Sequence, residues 1–205
     1  MKNPRNIFAK ISAAVVLVLA IGTAAVAKRH SDPAFSNIKI RNFGKMDNRF
    51  YRGAQPNEED YKDLKALGVK TVIDLTDNPK GYEKRDVEAL GMRYVSLPMS
   101  DSSYPKPQSI DAFLKLVKDP ATGTMFVHCA GGRHRTGVMG AVYRYNVNRW
   151  NFDQVYAEML DYDFYTKFGH GDLKTFVEDY GQKMASNGIA GAATSTTSSA
   201  PRNKR

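Results

Sequence analysis

The sequence contains a single cysteine, Cys129, so no disulfide can form within the chain and the fold depends on its apolar core. Acidic residues are missing from both ends of the chain. Six of the nine excess positive charges lie in these ends: Lys2, Arg5, Lys10, Arg202, Lys204 and Arg205. The remaining body carries only +3, which argues against a nucleic-acid partner. His30 and His170 show no spacing typical of a metal site.

Charge is also absent from residues 11–27, an apolar run that follows a basic stretch and ends in Ala25-Val26-Ala27. This pattern is typical of a secretory signal peptide cleaved after Ala27. The alternative is an uncleaved N-terminal membrane anchor, since the run is close to the shortest length that spans a bilayer. Both interpretations place the rest of the chain outside the cytoplasm, in the periplasm or the extracellular space.

The body of the chain alternates between two kinds of apolar pattern. Four short apolar stretches predict buried strands: 50–52, 69–75, 92–97 and 125–127. Amphipathic stretches predict helices: 57–67 with Asn57 as its N-cap, 82–90, 110–117, 135–148, 152–159 and 172–184. This alternation indicates one α/β domain with a central, mostly parallel sheet of four to five strands and helices on both faces.

The boundaries follow from composition. Residues 28–37 form a polar linker, 38–184 the domain, and 185–205 a tail rich in Ser, Thr and Ala that we expect to be disordered.

The stretch from His128 to Gly137 lies between a predicted strand and a predicted helix, where chemistry in open α/β sheets is often located. Two glycines allow the backbone to curl so that N–H groups converge on one anion. The residues of this anion-binding loop are Ala130, Gly131, Gly132, Arg133, His134 and Arg135. A thiol at Cys129 meets these donors and the Arg135 guanidinium, which favour the thiolate and predict a nucleophile. Thr136 can donate its hydroxyl to the sulfur.

The pattern His-Cys-x-x-Gly-x-x-Arg-Thr resembles the signature of the cysteine-dependent protein tyrosine and dual-specificity phosphatases. A second stretch, Asn42-Phe43-Gly44 with Asp47 and Tyr51-Arg52, extends the resemblance to the plant-and-fungi atypical dual-specificity phosphatases and their bacterial relatives. The resemblance covers about 38–164. It implies that Cys129 forms a phosphocysteine, that Arg135 binds the phosphate and that a loop aspartate is the general acid. It implies no metal and no cofactor.

Four aspartates are candidates for that acid. Asp101 fits best, because it lies in the loop after the third predicted strand. Asp111 falls in the first turn of a helix and Asp77 in a turn before Pro79. Asp74 lies within a strand, and we expect it to be a buried group that hydrogen-bonds the backbone of the signature loop.

Several neighbours of the nucleophile have two possible roles. His128 is expected to orient the loop and tune the thiolate, with direct proton transfer as the less favoured alternative. His134 either touches substrate or lies on a solvated rim. Arg52 and Gln55 either pack beneath the loop or lie on the surface.

The function predicted from these observations is hydrolysis of phosphomonoesters, with a phosphorylated protein or a small phosphoester as substrate. The alternative substrate is an inositol polyphosphate, an inositol pyrophosphate or a phosphoinositide, although Ala130 stands where that subgroup often has a basic residue. A phosphate-binding module without turnover and a rhodanese-like sulfurtransferase are weaker alternatives, because the Arg135-Thr136-Gly137 ending favours the phosphatase. The oligomeric state stays open.

Overall fold

The computed structural model describes residues 35–195 of the chain, with side chains described from 35 to 187. The expected leader at 1–27, the linker up to residue 34 and the tail residues 196–205 lie outside the described residues. Within the described part, no helix combines the length and the hydrophobicity that crossing a bilayer requires.

Five strands in the described residues form one sheet in the order β1-β2-β5-β3-β4. Their bounds are Gly44–Lys45 (β1), Phe50–Ala54 (β2), Thr71–Asp74 (β3), Arg93–Ser96 (β4) and Met125–Cys129 (β5). The strands β2, β5, β3 and β4 run parallel, and β1 pairs antiparallel with β2 at the edge. The predicted mostly parallel sheet is therefore confirmed.

Helices cover both faces of this sheet. Their bounds are Asp60–Ala66 (α1), Glu83–Ala89 (α2), Pro107–Lys118 (α3), His134–Tyr143 (α4), Phe152–Asp161 (α5) and Gly171–Ser195 (α6). A 3₁₀ turn follows α3 at Pro120–Thr122, and α4 continues as one π-helical stretch at Arg144–Asn148.

The sheet separates two apolar cores, and alternate residues of β5 belong to opposite sides. Val127 and Cys129 lie in the core beneath α3, α4 and α6, whereas Phe126 lies in the core beneath α1 and α2. The His128 ring stacks on Phe126, with ring centroids 5.6 Å apart, and so lies on the second side. Neighbouring residues of one strand thus reach different surroundings because strand side chains alternate.

Two predicted helix bounds were wrong. Asn57 does not cap α1 with its side chain, since the helix begins at Asp60, whose carboxylate accepts the Asn57 backbone N–H at 2.8 Å. The last helix does not end near Met184 but continues to Ser195, into the stretch predicted to be the tail. Alanine, the best helix former, recurs through this stretch and favours its continuation.

Candidate active site

The signature loop, defined here as Cys129–Arg135, connects the C-terminal end of β5 to the first turn of α4. Gly132 has φ +68°, and a Cβ atom there would lie 2.5 Å from the carbonyl carbon of Gly53 on the parallel neighbour β2. Only glycine fits this conformation and this close approach without strain. The tight turn places the loop over the end of β2, at the sheet edge where parallel strands end together.

Two side chains from the N-terminal part of the domain hold the back of the loop. Arg52 is 1% exposed and donates from Nη2 to the Gly132 carbonyl at 2.8 Å, and its guanidinium lies 3.9 Å from the centroid of the Tyr162 ring. Asn42 donates from Nδ2 to the Gly132 carbonyl at 3.2 Å and to the Tyr162 carbonyl at 2.8 Å. These bonds hold the Gly132 carbonyl in place. Of the two roles considered for Arg52, the structure supports packing beneath the loop over a place on the surface.

Gln55 also lies beneath the loop. Its backbone N–H donates to the Ala130 carbonyl at 3.5 Å, and its Nε2 donates to Oε2 of Glu83 at 2.9 Å. It therefore links the loop to the first residue of α2.

Cys129 is 3% exposed at the base of the loop. Burial opposes ionisation of the thiol, but the Thr136 hydroxyl, the backbone N–H groups of Thr136 and Gly131 and the charge of Arg135 together hold the pKa of Cys129 below its ordinary value. The buried Thr136 Oγ1 has no other hydrogen-bond partner among the described residues, which leaves it for the sulfur. A thiolate stabilised in this way is a nucleophile.

Arg135 extends its buried guanidinium across the loop. Its Nη1 donates to Oδ1 of Asp77 at 2.8 Å and to the Met99 carbonyl at 3.3 Å. Both bonds use one nitrogen, so Nε and Nη2 can form the paired bonds that a phosphoryl group accepts. The hydrogen bond from Arg135 also lowers the pKa of Asp77, which keeps this exposed carboxyl ionised and makes it a poor candidate for the general acid.

A buried polar cluster lies behind the strand end, on the side of the sheet opposite the thiol. Nε2 of His128 is 2.7 Å from Oε1 of Glu83, an ion-pair distance without the alignment of a hydrogen bond. Asp74 does not bond the loop backbone as expected. Its Oδ1 accepts the Thr76 N–H at 2.7 Å and its Oδ2 accepts the Tyr94 hydroxyl at 2.9 Å, because the side chain leaves β3 toward β4.

The ligand atoms of Asp74, Glu83 and His128 lie within 4.8 Å of one another, as they would around a metal ion. Both carboxylates already interact with protein donors, and all three side chains are fully buried.

The candidate general acid Asp101 lies in an exposed loop, Pro98–Lys106, which we call the acid loop. Its backbone carbonyl accepts a hydrogen bond from Nδ1 of His170 at 2.6 Å. The Met99 carbonyl of this loop accepts from Arg135 of the signature loop at 3.3 Å, so the two loops are neighbours. Asp111 lies instead on the exposed side of α3.

Arg133 and His134 follow the two glycines of the signature loop. Nε of Arg133 lies 3.9 Å from a carboxylate oxygen of Asp163. His134 is only 9% exposed, and burial lowers its pKa to about 4, so the ring is neutral at physiological pH. Its Nε2 is 3.1 Å from the Tyr165 carbonyl. His134 is therefore covered by the segment between α5 and α6 and is not a solvated rim residue.

Four residues of the site were not among the site residues predicted from the sequence, or were predicted to have another role: Asn42, Asp77, Glu83 and His170. Only Asn42 had a local signal, since it opens the Asn-Phe-Gly motif.

Comparison with known proteins agrees with this geometry. The family model described as "DSP-PTPase phosphatase fused to NAD+ Kinase" matches residues 31–177. The chain belongs to this phosphatase family. The sequence is 28% identical over 149 residues to the Dictyostelium discoideum protein named "Probable tyrosine-protein phosphatase DG1060", covering 70% of this chain and 86% of that one.

Other relatives carry more specific names. The Pseudomonas aeruginosa "Dual specificity protein phosphatase TpbA" is 29% identical over 118 residues, which cover 58% of this chain and 53% of TpbA. The Arabidopsis thaliana "Inositol diphosphatase DSP3" is 28% identical over 125 residues, covering 57% and 60% of the two chains.

Solved structures share the fold. TpbA superposes with a TM-score of 0.60 at 25% identity, covering 74% of this chain and 88% of TpbA. The catalytic core of Siw14 superposes with a TM-score of 0.57 at 21% identity, covering 72% and 92%. The phosphatase resemblance and the fold class expected from the sequence are both confirmed.

Proposed function

We propose that this phosphatase hydrolyses phosphotyrosine-type aryl phosphomonoesters through a phosphocysteine intermediate. The observation that carries the proposal is the Cys129 thiol, whose pKa is lowered by donors that also line an anion-binding loop. A nucleophile and an anion site at one point are what attack on a phosphoryl group requires.

The reaction has two steps. The Cys129 thiolate attacks phosphorus in line, the phosphorus–oxygen bond to the leaving group breaks, and Asp101 gives that oxygen a proton. Arg135 binds two non-bridging oxygens through Nε and Nη2. Water, deprotonated by Asp101, then attacks the phosphocysteine, and the sulfur leaves as a thiolate stabilised by Thr136.

The charges around the loop favour a substrate with one phosphate. Arg133 faces Asp163 and Arg135 faces Asp77, so both cations are partly offset by carboxylates. Ala130 adds no charge. A densely anionic inositol compound needs unpaired cations, whereas a phosphomonoester needs only the loop.

Aromatic side chains favour an aryl group beside that phosphate. Tyr165 and Phe168 are 37% and 87% exposed, and their rings meet edge to face at 6.3 Å. Tyr165 also meets His134 edge to face at 4.3 Å, so the exposed rings continue directly from the signature loop. Such a surface suits the ring of phosphotyrosine.

The inositol polyphosphate and pyrophosphate alternative is supported by relatives named inositol diphosphatases. A panel of substrates separates the two: phosphotyrosine and phosphothreonine peptides, a phosphoinositide, inositol polyphosphates and inositol pyrophosphates. We expect the full chain to hydrolyse the phosphotyrosine peptide with the highest kcat/KM, and Cys129→Ser to abolish that activity.

The same panel can contradict the proposal. Turnover confined to inositol compounds would replace the substrate with the alternative. Binding of inorganic phosphate without turnover of any ester would leave a phosphate-binding module.

We also propose that the domain is exported, supported by the basic and apolar pattern of residues 1–27. Fusion of residues 1–37 to a reporter enzyme that is active only outside the cytoplasm tests this. An inactive but stable fusion would contradict export.

A further inference from the structure

The acid loop and the signature loop are joined by a third segment of the chain. This segment, Tyr162–His170, connects α5 to α6 and is here called the bridging segment. At its end, the His170 ring stacks on the His134 ring with centroids 3.6 Å apart and planes inclined by 15°. Nδ1 of the same ring is 2.6 Å from the carbonyl oxygen of Asp101. One imidazole therefore contacts both loops.

The His134 side of this contact is rigid. His134 is the first residue of α4 and directly precedes Arg135. Its ring is packed against Phe164 and Tyr165 of the bridging segment, with centroids 5.3 and 4.3 Å away, and its Nε2 is 3.1 Å from the Tyr165 carbonyl. His170 thus stacks on a platform fixed to the residues that bind phosphate.

The acid loop is also anchored at both of its ends. At the start, the Met99 carbonyl accepts a hydrogen bond from Nη1 of Arg135 at 3.3 Å. The Tyr104 hydroxyl donates to Oδ2 of Asp179 on α6 at 3.1 Å, and the Tyr104 ring meets Phe176 edge to face at 5.3 Å. This anchor holds the end of the loop, whereas the His170 bond acts at Asp101 itself. The middle of the loop is polar and exposed, and the Ser100 hydroxyl accepts the backbone N–H groups of Ser102 and Ser103 there, at 3.3 and 3.1 Å. Both of these bonds lie within the loop.

We propose that His170 is a positioning residue that holds Asp101 over the signature loop. Its Nδ1–H fixes the Asp101 backbone, and its stacking on His134 fixes that donor relative to Arg135. This inference rests on the proposed function, in which Asp101 is the general acid. A proton donor must lie within hydrogen-bond reach of the leaving oxygen. If the acid loop moves away from that oxygen, protonation of the leaving group is therefore the first step to be lost.

The test uses two esters that differ in their need for a proton. Phenyl phosphate has a basic leaving group that must be protonated, whereas 2,4-dinitrophenyl phosphate releases a phenolate that leaves unaided. Their kcat/KM values report the steps up to phosphocysteine formation. The variants of the full chain are His170→Phe, which keeps a ring for stacking but lacks the donor, His170→Ala, and Asp101→Asn. Lys167→Ala, an exposed change in the bridging segment, is the matched control.

For both His170 variants we expect kcat/KM on phenyl phosphate to fall about tenfold or more, a part of the roughly 100- to 10,000-fold effect of a general acid, with little change on 2,4-dinitrophenyl phosphate. Asp101→Asn should show the same selective loss, and Lys167→Ala none. Thermal melts check that each variant is folded.

The other outcomes are distinguishable. A selective loss in Asp101→Asn without one in His170→Phe overturns the positioning role and leaves the proposed acid intact. Equal losses on both esters in the His170 variants assign His170 a merely structural role. No selective loss in Asp101→Asn refutes Asp101 as the acid, and the inference then fails with it.

Discussion

Gly132 is the residue at which the signature loop tolerates least change, and Gly132→Ala tests the loop geometry directly. At φ +68° an alanine costs roughly 1–2 kcal/mol of backbone energy. Its Cβ would also lie 2.5–2.6 Å from three backbone atoms of Gly53 and Ala54, which cannot rotate away. Forcing an extra methyl into packed surroundings costs about 1–3 kcal/mol more.

The expected result is a loss of about 3 kcal/mol in the free energy of unfolding. For a chain of this size that corresponds to a fall in Tm of about 6–12 °C. Activity should fall further than stability suggests, because a displacement of the loop N–H groups near 1 Å is enough for about a 100-fold loss in kcat/KM.

Gly131→Ala is the matched control. It adds the same methyl group one residue earlier, where φ is not positive and the Cβ would meet only the Arg133 side chain at 3.8 Å. We expect its Tm to stay close to that of the parent chain and its kcat/KM to fall much less than that of Gly132→Ala. If the two variants melt and react alike, the loop geometry described here is refuted.

Two further variants test the surroundings of the nucleophile. Glu83→Gln removes one partner of the buried pair with His128, so we expect the free energy of unfolding, measured by chemical denaturation, to fall by about 3–5 kcal/mol. The exposed change Glu88→Gln is the control and should leave that free energy unchanged. Burial raises the pKa of Glu83, but the contact with His128 and the hydrogen bonds from Gln55 and Tyr61 together outweigh it, so the folded pKa lies below the ordinary one. The stabilisation is therefore present above pH about 4.3 and is lost as the pH falls through the lowered pKa. The difference in the free energy of unfolding between parent and variant should therefore narrow in acid. A difference that stays constant would contradict the ion pair. Thr136→Ala removes a donor to the Cys129 sulfur, so the pH midpoint of alkylation by iodoacetamide should rise. Breakdown of the phosphocysteine should slow by about 10- to 100-fold, which is the effect of losing one charge-assisted hydrogen bond. An unchanged midpoint would remove Thr136 from thiolate stabilisation.

Much of the fold was predictable because its signals are local. Short apolar strands alternate with amphipathic helices, and this alternation predicts the fold class without knowledge of any long-range contact. Predictions were less accurate where local signals compete. Asn57 is a good N-cap residue, yet α1 begins at Asp60. The small residues after Met184 predict the end of the last helix, yet α6 continues through them to Ser195.

The chemistry of the signature loop was determined by the sequence itself. Cys129, the loop glycines, Arg135 and Thr136 are consecutive or nearly so, and a strand followed by a tight turn and a helix places them together whatever the rest of the chain does. Local covalent geometry is sufficient for this part of the site.

The surroundings of that loop were decided only by the tertiary structure. Asn42, Arg52 and Asp77 lie far from residue 132 in the chain. Arg52 and Asp77 meet the loop because parallel strands bring their C-terminal ends to one edge of the sheet, and Asn42 reaches that edge because β1 pairs antiparallel with β2. Glu83 and His170 arrive on helix ends whose positions depend on core packing. Contacts of this kind leave no pattern in the sequence, since any polar residue at those positions satisfies the local helix or turn equally well.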